Sequence, residues 1–362
     1  MDGAGDIVGI SFPFAAGVAS AALISSATSG GGLWAALASS VCIPLLFIHF
    51  CRTGSGAMAA GLLYFALGAF CFLTASLTGP VPKSGPVFAE AAMRRFTGLI
   101  ESAGFEGDRT GPLVQALLTG RRNAISRETA ENFRAAGAAH ILALSGLHLG
   151  VIYGILTRLL AVLGRSRKAA VIRSVAAISA SGFYTVMTGA SPSIVRAFLF
   201  ISLNEAVRLQ PGRRRPPANV YCTALTVQLA LNPPAIQETG FQLSYLAMLG
   251  IVLLFPRMDS WYPSSGRFDP FRRIWSSAAL TISCQVFTAP LVWVRFHSFP
   301  VHFLLTNLIA LPLAELLIIS ALLTLALCAM GFDPGITKSL TEFFGQTLVY
   351  CLDVISGMQP PF

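Results

Sequence analysis

The chain has 362 residues, of which 54% are hydrophobic and 11% charged, and a formal net charge of +9. An average soluble domain carries about 25% charged residues, so this composition, with a mean hydropathy of +0.68, excludes a soluble enzyme and points to a membrane protein. The basic excess has a first explanation in cytoplasmic loops, which collect Lys and Arg during insertion, and a second in a polyanionic partner. The seven cysteines, Cys42, Cys51, Cys71, Cys222, Cys284, Cys328 and Cys351, lie in or beside apolar runs without metal-ligand spacing, and read as small packing residues rather than a disulfide frame.

Met1 to Asp6 holds two acids and no base, so the first apolar run is expected to be a retained span and not a cleaved leader. Three spans are expected in residues 1–80, near Ile7 to Ser26, Leu33 to Phe50 and Gly56 to Leu77, each able to cross a hydrocarbon core of about 30 Å. A short loop holds Arg52, and Gly79-Pro80-Val81-Pro82 ends the block. From Lys83 the chain turns polar, and residues 81–138 are expected to form amphipathic helices outside the bilayer, on the membrane surface or against the bundle. Phe88, Ala92, Phe96, Leu99 and Ala103 fall on one helical stripe. A second short helix is expected after Asp108, with Pro112 in its early turn, Leu113, Val114, Leu117 and Leu118 on one stripe and Gly120 as its stop. Ser126 is placed to cap a third.

Residues 139–362 hold further candidate spans near Ile141 to Leu163, Ala169 to Thr188, Ile194 to Leu209, Val220 to Leu231, Gly240 to Phe255, Ile274 to Val294, Phe303 to Met330 and Leu340 to Ile355. Two are short for a full crossing, which predicts broken or partial helices. The fold class is therefore an all-α polytopic bundle of about eleven spans. Arg165, Arg167 and Lys168, then Arg213, Arg214 and Arg215, then Arg257, Arg267, Arg272 and Arg273 make every second loop basic. That alternation places the N-terminus in the cytoplasm, and residues 81–138 and the C-terminus outside, with the acidic N-terminus a small count against it.

Polar groups inside spans are costly and so are functional candidates. The densest run is Arg134 to Gly150, with His140, Ser145, Gly146 and His148. On a helix Ser145 and His148 share a face, whereas His140 lies about two turns from His148, too far to share one metal ion. Ser145, Gly146 and Gly150 read equally as close-packing positions, and His148 as a satisfied interior histidine. Ser191-Pro192 predicts a helix start able to face an anion, and Arg196 follows about one turn later. Gln242, Ser244 and Asn307 either line a path or bond between helices. Phe183, Tyr184, Phe241 and Tyr245 are stacking candidates whose alternative is packing. Glu315 is the carboxylate of a late apolar run, with a structural partner as its first explanation, and Glu205 with Arg208 reads as an interfacial pair.

Phe133-Arg134-Ala135-Ala136-Gly137 followed by His140 to Gly150 resembles the signature of the ComEC competence family, in which a phenylalanine and arginine precede "AG" and a histidine leading into "SGLH". Leu117-Leu118-Thr119-Gly120, the Ser191-Pro192 to Arg196-Ala197 element, Asn232-Pro233 with Gly240 to Ala247, and Thr306-Asn307-Leu308 with Pro312 are similar to further family motifs in the family's order. The resemblance implies a channel passing single-stranded DNA through the bacterial inner membrane during natural transformation. It implies a periplasmic DNA receptor and a cytoplasmic helicase or single-strand-binding protein as partners, besides lipid and a possible homo-oligomer. Arg134, His140, Ser145, Gly146, His148, Ser191, Arg196, Gln242, Ser244 and Asn307 become the motif or path residues. Family members often carry an OB-like domain and a metallo-β-lactamase domain. Leu77 lies too close to Lys83 for the first, and the five histidines contain no HxHxDH run, so a channel without its own nuclease, catalytic site, metal or cofactor is expected. No Walker A pattern supplies a motor. The alternatives are a small-solute or lipid transporter, for which internal repeats are missing, and an intramembrane serine hydrolase, for which Ala143 replaces the first glycine of "GxSG".

Overall fold

Long apolar runs broken by Gly, Pro and Ser fold as helices. A computed structural model describes residues 3–27, 57–78, 86–105, 109–164, 166–210, 216–263, 269–297 and 302–358, and among them contains fourteen α-helices and no strand. They are α1 (Gly3–Ala27), α2 (Ala57–Thr78), α3 (Val87–Ser102), α4 (Thr110–Thr119), α5 (Arg127–Ala135), α6 (Gly146–Leu159), α7 (Arg167–Met187) and α8 (Pro192–Arg208). After them come α9 (Pro217–Leu231), α10 (Thr239–Leu253), α11 (Phe255–Asp259), α12 (Pro270–Phe296), α13 (Phe303–Ala329) and α14 (Gly335–Gly357). Among the described residues six helices are long and apolar enough to cross a membrane: α1, α2, α6 with its 3₁₀ extension to Leu163, α7, α12 and α13. The chain is thus an all-α polytopic membrane protein.

The remaining expected spans divide by cause. Leu33 to Phe50 lies outside the described residues, as do Cys42, His49, Cys51, Arg52, Gly79 to Lys83, Arg165, Arg213 to Arg215 and Arg267. The 17-residue α8 carries Arg196, Glu205 and Arg208, and Arg208 pairs with the buried Glu205 at 3.4 Å, the expected pair. The 15-residue helices α9 and α10 rise about 22 Å each, short of the core thickness. In α14, 23 residues long, Lys338, Glu342 and Asp353 keep the helix too polar to count.

Two compact units can be described. The first contains Met1–Lys83 and Leu199–Val252. In it α1 and α2 meet backbone to backbone: a Cβ added at Gly17 would overlap the Phe65 carbonyl, and one at Gly68 the Phe14 carbonyl. Small residues permit this approach where lipid provides no hydrophobic drive for helix association. The Ser11 hydroxyl donates to Cys222 O at 3.1 Å and accepts from Thr226 Oγ1 at 2.8 Å, fastening α9 to α1. A 3₁₀ turn, Pro233–Gln237, joins α9 to α10 and packs on α1 and α2, with Pro233 and Ala235 buried. The expected short helices are present, and in the connection between them Pro233 and Ala235 are buried while Asn232, Gln237 and Glu238 are exposed. Phe241 and Tyr245 belong to this core, where Tyr245 Oη donates to Gln228 Oε1 at 2.8 Å.

The second unit contains Ser84–Phe198 and Leu253–Phe362. The short helices α3 to α5 lie against the bundle: Leu113, Val114, Leu117 and Leu118 of α4 are fully buried among Ala314, Leu317 and Ile318 of α13 and Leu348 and Leu352 of α14. Gly120 ends α4 with φ +75°, and Ser126 caps α5 by accepting the Thr129 N–H at 3.1 Å, as their sequence positions predict. The α3 stripe is corrected by one residue, a rotation of about 100°. The helix buries Ala89, Met93, Thr97 and Ile100, while Phe88 is exposed and stacks on Phe183 at 6.5 Å between ring centroids. Small Ala and Thr side chains let α3 approach closely, leaving Phe96 and Leu99 at the edge of the contact. Arg109 pairs with Asp353 at 3.1 Å and Glu128 at 3.4 Å, and Asn132 Nδ2 donates to Asp353 Oδ1 at 2.7 Å. These bonds tie the end of α14 to α4 and α5.

Candidate functional site

The motif run is not one helix. Gly137, with φ +80°, stops α5 in a Schellman turn in which Ala138 N–H donates to Phe133 O at 2.7 Å and Gly137 N–H to Arg134 O at 3.0 Å. The expected helix from Ile141 therefore begins five residues later, at Gly146. The intervening carbonyls are taken up from outside the run: Thr306 Oγ1 donates to Ala136 O at 2.7 Å and Arg122 Nε to Leu142 O at 2.9 Å.

Ser145 is the N-cap of α6, and His148 sits at its third position in a capping box. Leu147 N–H donates to Ser145 Oγ at 3.3 Å, while Ser145 N–H donates to His148 Nδ1 at 3.2 Å. Here the imidazole does what Glu or Gln usually does at that place. Because Nδ1 accepts, the neutral ring carries its proton on Nε2. His148 is 1% exposed, and its Nε2 has no partner among the described residues. The interior histidine is thus satisfied on one nitrogen only, and a buried unmade hydrogen bond costs about 1–3 kcal/mol.

Neighbouring motifs converge on this helix start. Leu144 lies against Gly120, where an added Cβ would sit 2.5 Å from Leu144 Cδ1. Tyr184 Oη of α7 donates to Leu118 O at 2.8 Å, satisfying a terminal carbonyl of α4. A Cβ at Gly146 would lie 3.5 Å from Ala197 Cβ and 3.7 Å from Arg196 Nη2, so Gly146 faces the first turns of α8 as a packing position. Gly150 has nothing within 4 Å of such an atom and is not one.

At the other loop, Gly189 and Ala190 both have positive φ, +84° and +49°, after a second Schellman turn closing α7. Helix α8 begins at Pro192 as expected, but Ser191 does not cap it through its side chain: Ser191 Oγ is buried and has no partner among the described residues. Asn307 Oδ1, in the first turns of α13, is likewise buried and unpartnered. Arg134, in the last turn of α5, and His140, whose Nδ1 lies 3.1 Å from Gly137 O, are both exposed.

Gln242 and Ser244 lie in the first unit, two residues apart on α10 and so on different sides of it. Gln242 Nε2 donates to Ile236 O at 2.8 Å, holding the 3₁₀ turn, while its Oε1 is buried without a partner. Tyr184, Phe241 and Tyr245 are buried and packed, the alternative given for them. Glu315 is exposed on α13 and forms no ion pair among the described residues, so the expected structural partner is not found. The motifs did not single out Arg173 and Ser181 of α7, whose Nε and Oγ are buried and unpartnered; their signal was polarity inside an apolar span.

Helix starts, side chains with unsatisfied polar atoms and an arginine set within apolar helices define a polytopic membrane protein with polar groups among its spans. The "Competence protein" family profile matches residues 117–360, two thirds of the chain, and the chain belongs to that family. It is 29% identical over 205 residues to "ComE operon protein 3" of Bacillus subtilis (strain 168), covering 57% of this chain and 25% of that protein. It is 24% identical over 221 residues to "Uncharacterized protein YcaI" of Escherichia coli (strain K12), covering 58% of this chain and 28% of that protein. The matched part is thus about a quarter of the length of these curated relatives. No solved structure matches the chain.

Proposed function

We propose that the chain is the conduit through which single-stranded DNA crosses the inner membrane during natural transformation, without catalysing a reaction itself. The observation that carries this reading is that His148, Ser191, Gln242 and Asn307, all motif residues, keep a buried polar atom that no group among the described residues satisfies. In a membrane protein such atoms are retained for a polar cargo or its water. Membership of the competence family favours DNA over a small solute as that cargo.

The Ser145 to His148 contact, 3.1 Å between Oγ and Nδ1, is what a serine hydrolase would need. Three features favour a cap instead. Ser145 Oγ is engaged by Leu147 N–H, Nδ1 accepts the Ser145 N–H, and no carboxylate orients Nε2. The orientation proposed is N-terminus in the cytoplasm and C-terminus outside. The Asp353 bonds to Arg109 and Asn132 support it, since they put the end of α14 on the side of α4 and α5. A periplasmic DNA receptor and a cytoplasmic helicase or single-strand-binding protein complete the proposed pathway.

Deleting the gene tests the reading. Transformation is expected to fall at least a hundredfold while uptake of labelled duplex into the periplasm persists. Unchanged transformation, or loss of both together, contradicts it.

A further inference from the structure

Helix α7 crosses the second unit as a 21-residue apolar span, yet its inward face is hydroxylic. Ser174, Ala177, Ser181 and Thr185 recur every three or four residues, all at 4% exposure or less. Such hydroxyls normally satisfy themselves on the backbone one turn earlier. Thr185 does so, its Oγ1 donating to Ser181 O at 2.8 Å. Ser181 Oγ does not, and it has no partner among the described residues. On the flank of the same face, eight residues toward the N-terminus and so about 12 Å along the axis, Arg173 Nε is also buried and unpartnered. At the opposite end, α7 runs along α6, whose first turn holds the orphan Nε2 of His148.

All three of these atoms can donate, and two of them can do nothing else. His148 Nε2, protonated because Nδ1 accepts, can only donate, Arg173 Nε can only donate, and the Ser181 hydroxyl can donate. A row that lacks acceptor-only groups suits an acceptor-rich ligand and would serve a metal cation poorly. Fully desolvated and unsatisfied, each atom would cost stability without return.

We propose that α7 forms a wall of the conduit: Ser181 and Arg173 continue, toward the Arg167 end of the helix, a hydrated line of donors that begins at His148 and contacts successive phosphodiester groups. Arg173 supplies the inner charge. This assignment deepens the conduit reading and rests on it. The competing account is that Arg173 reaches along the helix to the membrane interface and Ser181 only packs.

The test uses the full-length protein in cells. Ser181→Cys and, as an outward-facing control on the same helix, Val175→Cys (Val175 is 56% exposed) are treated with a small anionic methanethiosulfonate in spheroplasts. Modification at each position is read by peptide mass spectrometry, so the native cysteines stay in place. Position 181 is expected to be modified at least tenfold more than position 175, with transformation blocked after modification. In parallel, Arg173→Gln is expected to lower transformation at least tenfold at unchanged membrane-inserted protein, with Arg173→Lys recovering most of it.

A Ser181→Cys protein whose introduced thiol stays unmodified in spheroplasts and reacts only after detergent solubilisation overturns the hydrated line. So does an Arg173→Gln protein that transforms within twofold of wild type. If either substitution lowers inserted protein instead, its role is structural and the proposal fails at that residue. None of these outcomes depends on the gene-deletion result, so the line can fail while the conduit reading stands, and a labelled line in a strain whose deletion transforms normally would reject the conduit reading and the phosphodiester contacts with it, leaving only the hydration.

Discussion

Replacing Gly68 by leucine is expected to remove most of the folded protein from the membrane, and Gly17→Leu to do the same. At both positions the first atom of any side chain would overlap a carbonyl oxygen of the facing helix, and a main-chain atom cannot rotate away as a side chain can. The helices must separate, which loses the contact across α1 and α2 and loosens α9, which the Ser11 hydroxyl fastens to α1. Overpacking of a side-chain core costs about 1–3 kcal/mol, and a backbone collision at the crossing point lies at or above the upper end of that range. Gly9→Leu is the matched control, because a Cβ there meets nothing within 4 Å. Monodisperse protein recovered in mild detergent measures the difference. Equal recovery of all three variants would mean that α1 and α2 do not meet at these glycines.

The second large effect concerns Arg196, where stability and transport are expected to move apart. Its guanidinium lies beside Gly146, the first residue of α6, and the residue itself sits in the second turn of α8. Both neighbours are helix N-termini, which carry about half a positive charge each and favour anions by about 0.3–1 kcal/mol. A phosphate arriving there would meet the guanidinium and the two helix starts together. Arg196→Glu therefore suits the local field and should insert normally, but it presents a fixed negative charge to each arriving phosphate. Transformation is expected to drop at least a hundredfold, while Arg196→Lys stays within about tenfold of wild type because charge survives and the bidentate fork is lost. Membrane-inserted protein and transformation frequency are measured together. Wild-type transformation by well-inserted Arg196→Glu removes Arg196 from the path, and loss of inserted protein in both variants makes the residue structural.

The features legible in the sequence are those set by local rules. Gly120 ends α4, Ser126 caps α5, Pro192 opens α8, and the Asn232-Pro233 pair marks where α9 gives way to a 3₁₀ turn. Four of the motif residues selected for polarity, His148, Ser191, Gln242 and Asn307, are found with unused polar atoms. What escaped the sequence depends on partners distant in the chain. The packing of α9 on α1 joins Ser11 to Cys222, 211 residues apart, and no local pattern announces it. The rotation of α3 was set by the helices it meets, because its apolar residues are broad enough to offer two adjacent faces. The late start of α6 follows from a capping box in which histidine takes the place of a carboxylate or amide, a substitution outside the usual S-x-x-E pattern. Arg173 and Ser181 lie outside the motif segments, and what distinguishes them, a buried polar atom without a partner among the described residues, depends on the helices packed around α7.

The central claim is that the transforming strand passes through this chain, and site-specific photo-cross-linking tests it most directly. A benzophenone amino acid is placed at Leu147, in the first turn of α6, and separately at Val175 on the outward face of α7. Cells are illuminated while a radiolabelled donor strand is being imported. The account predicts a strand-linked protein band from position 147 that disappears when unlabelled DNA is added in excess, and no such band from position 175. Continued import with no adduct at position 147, or adducts of equal yield at both positions, would contradict it.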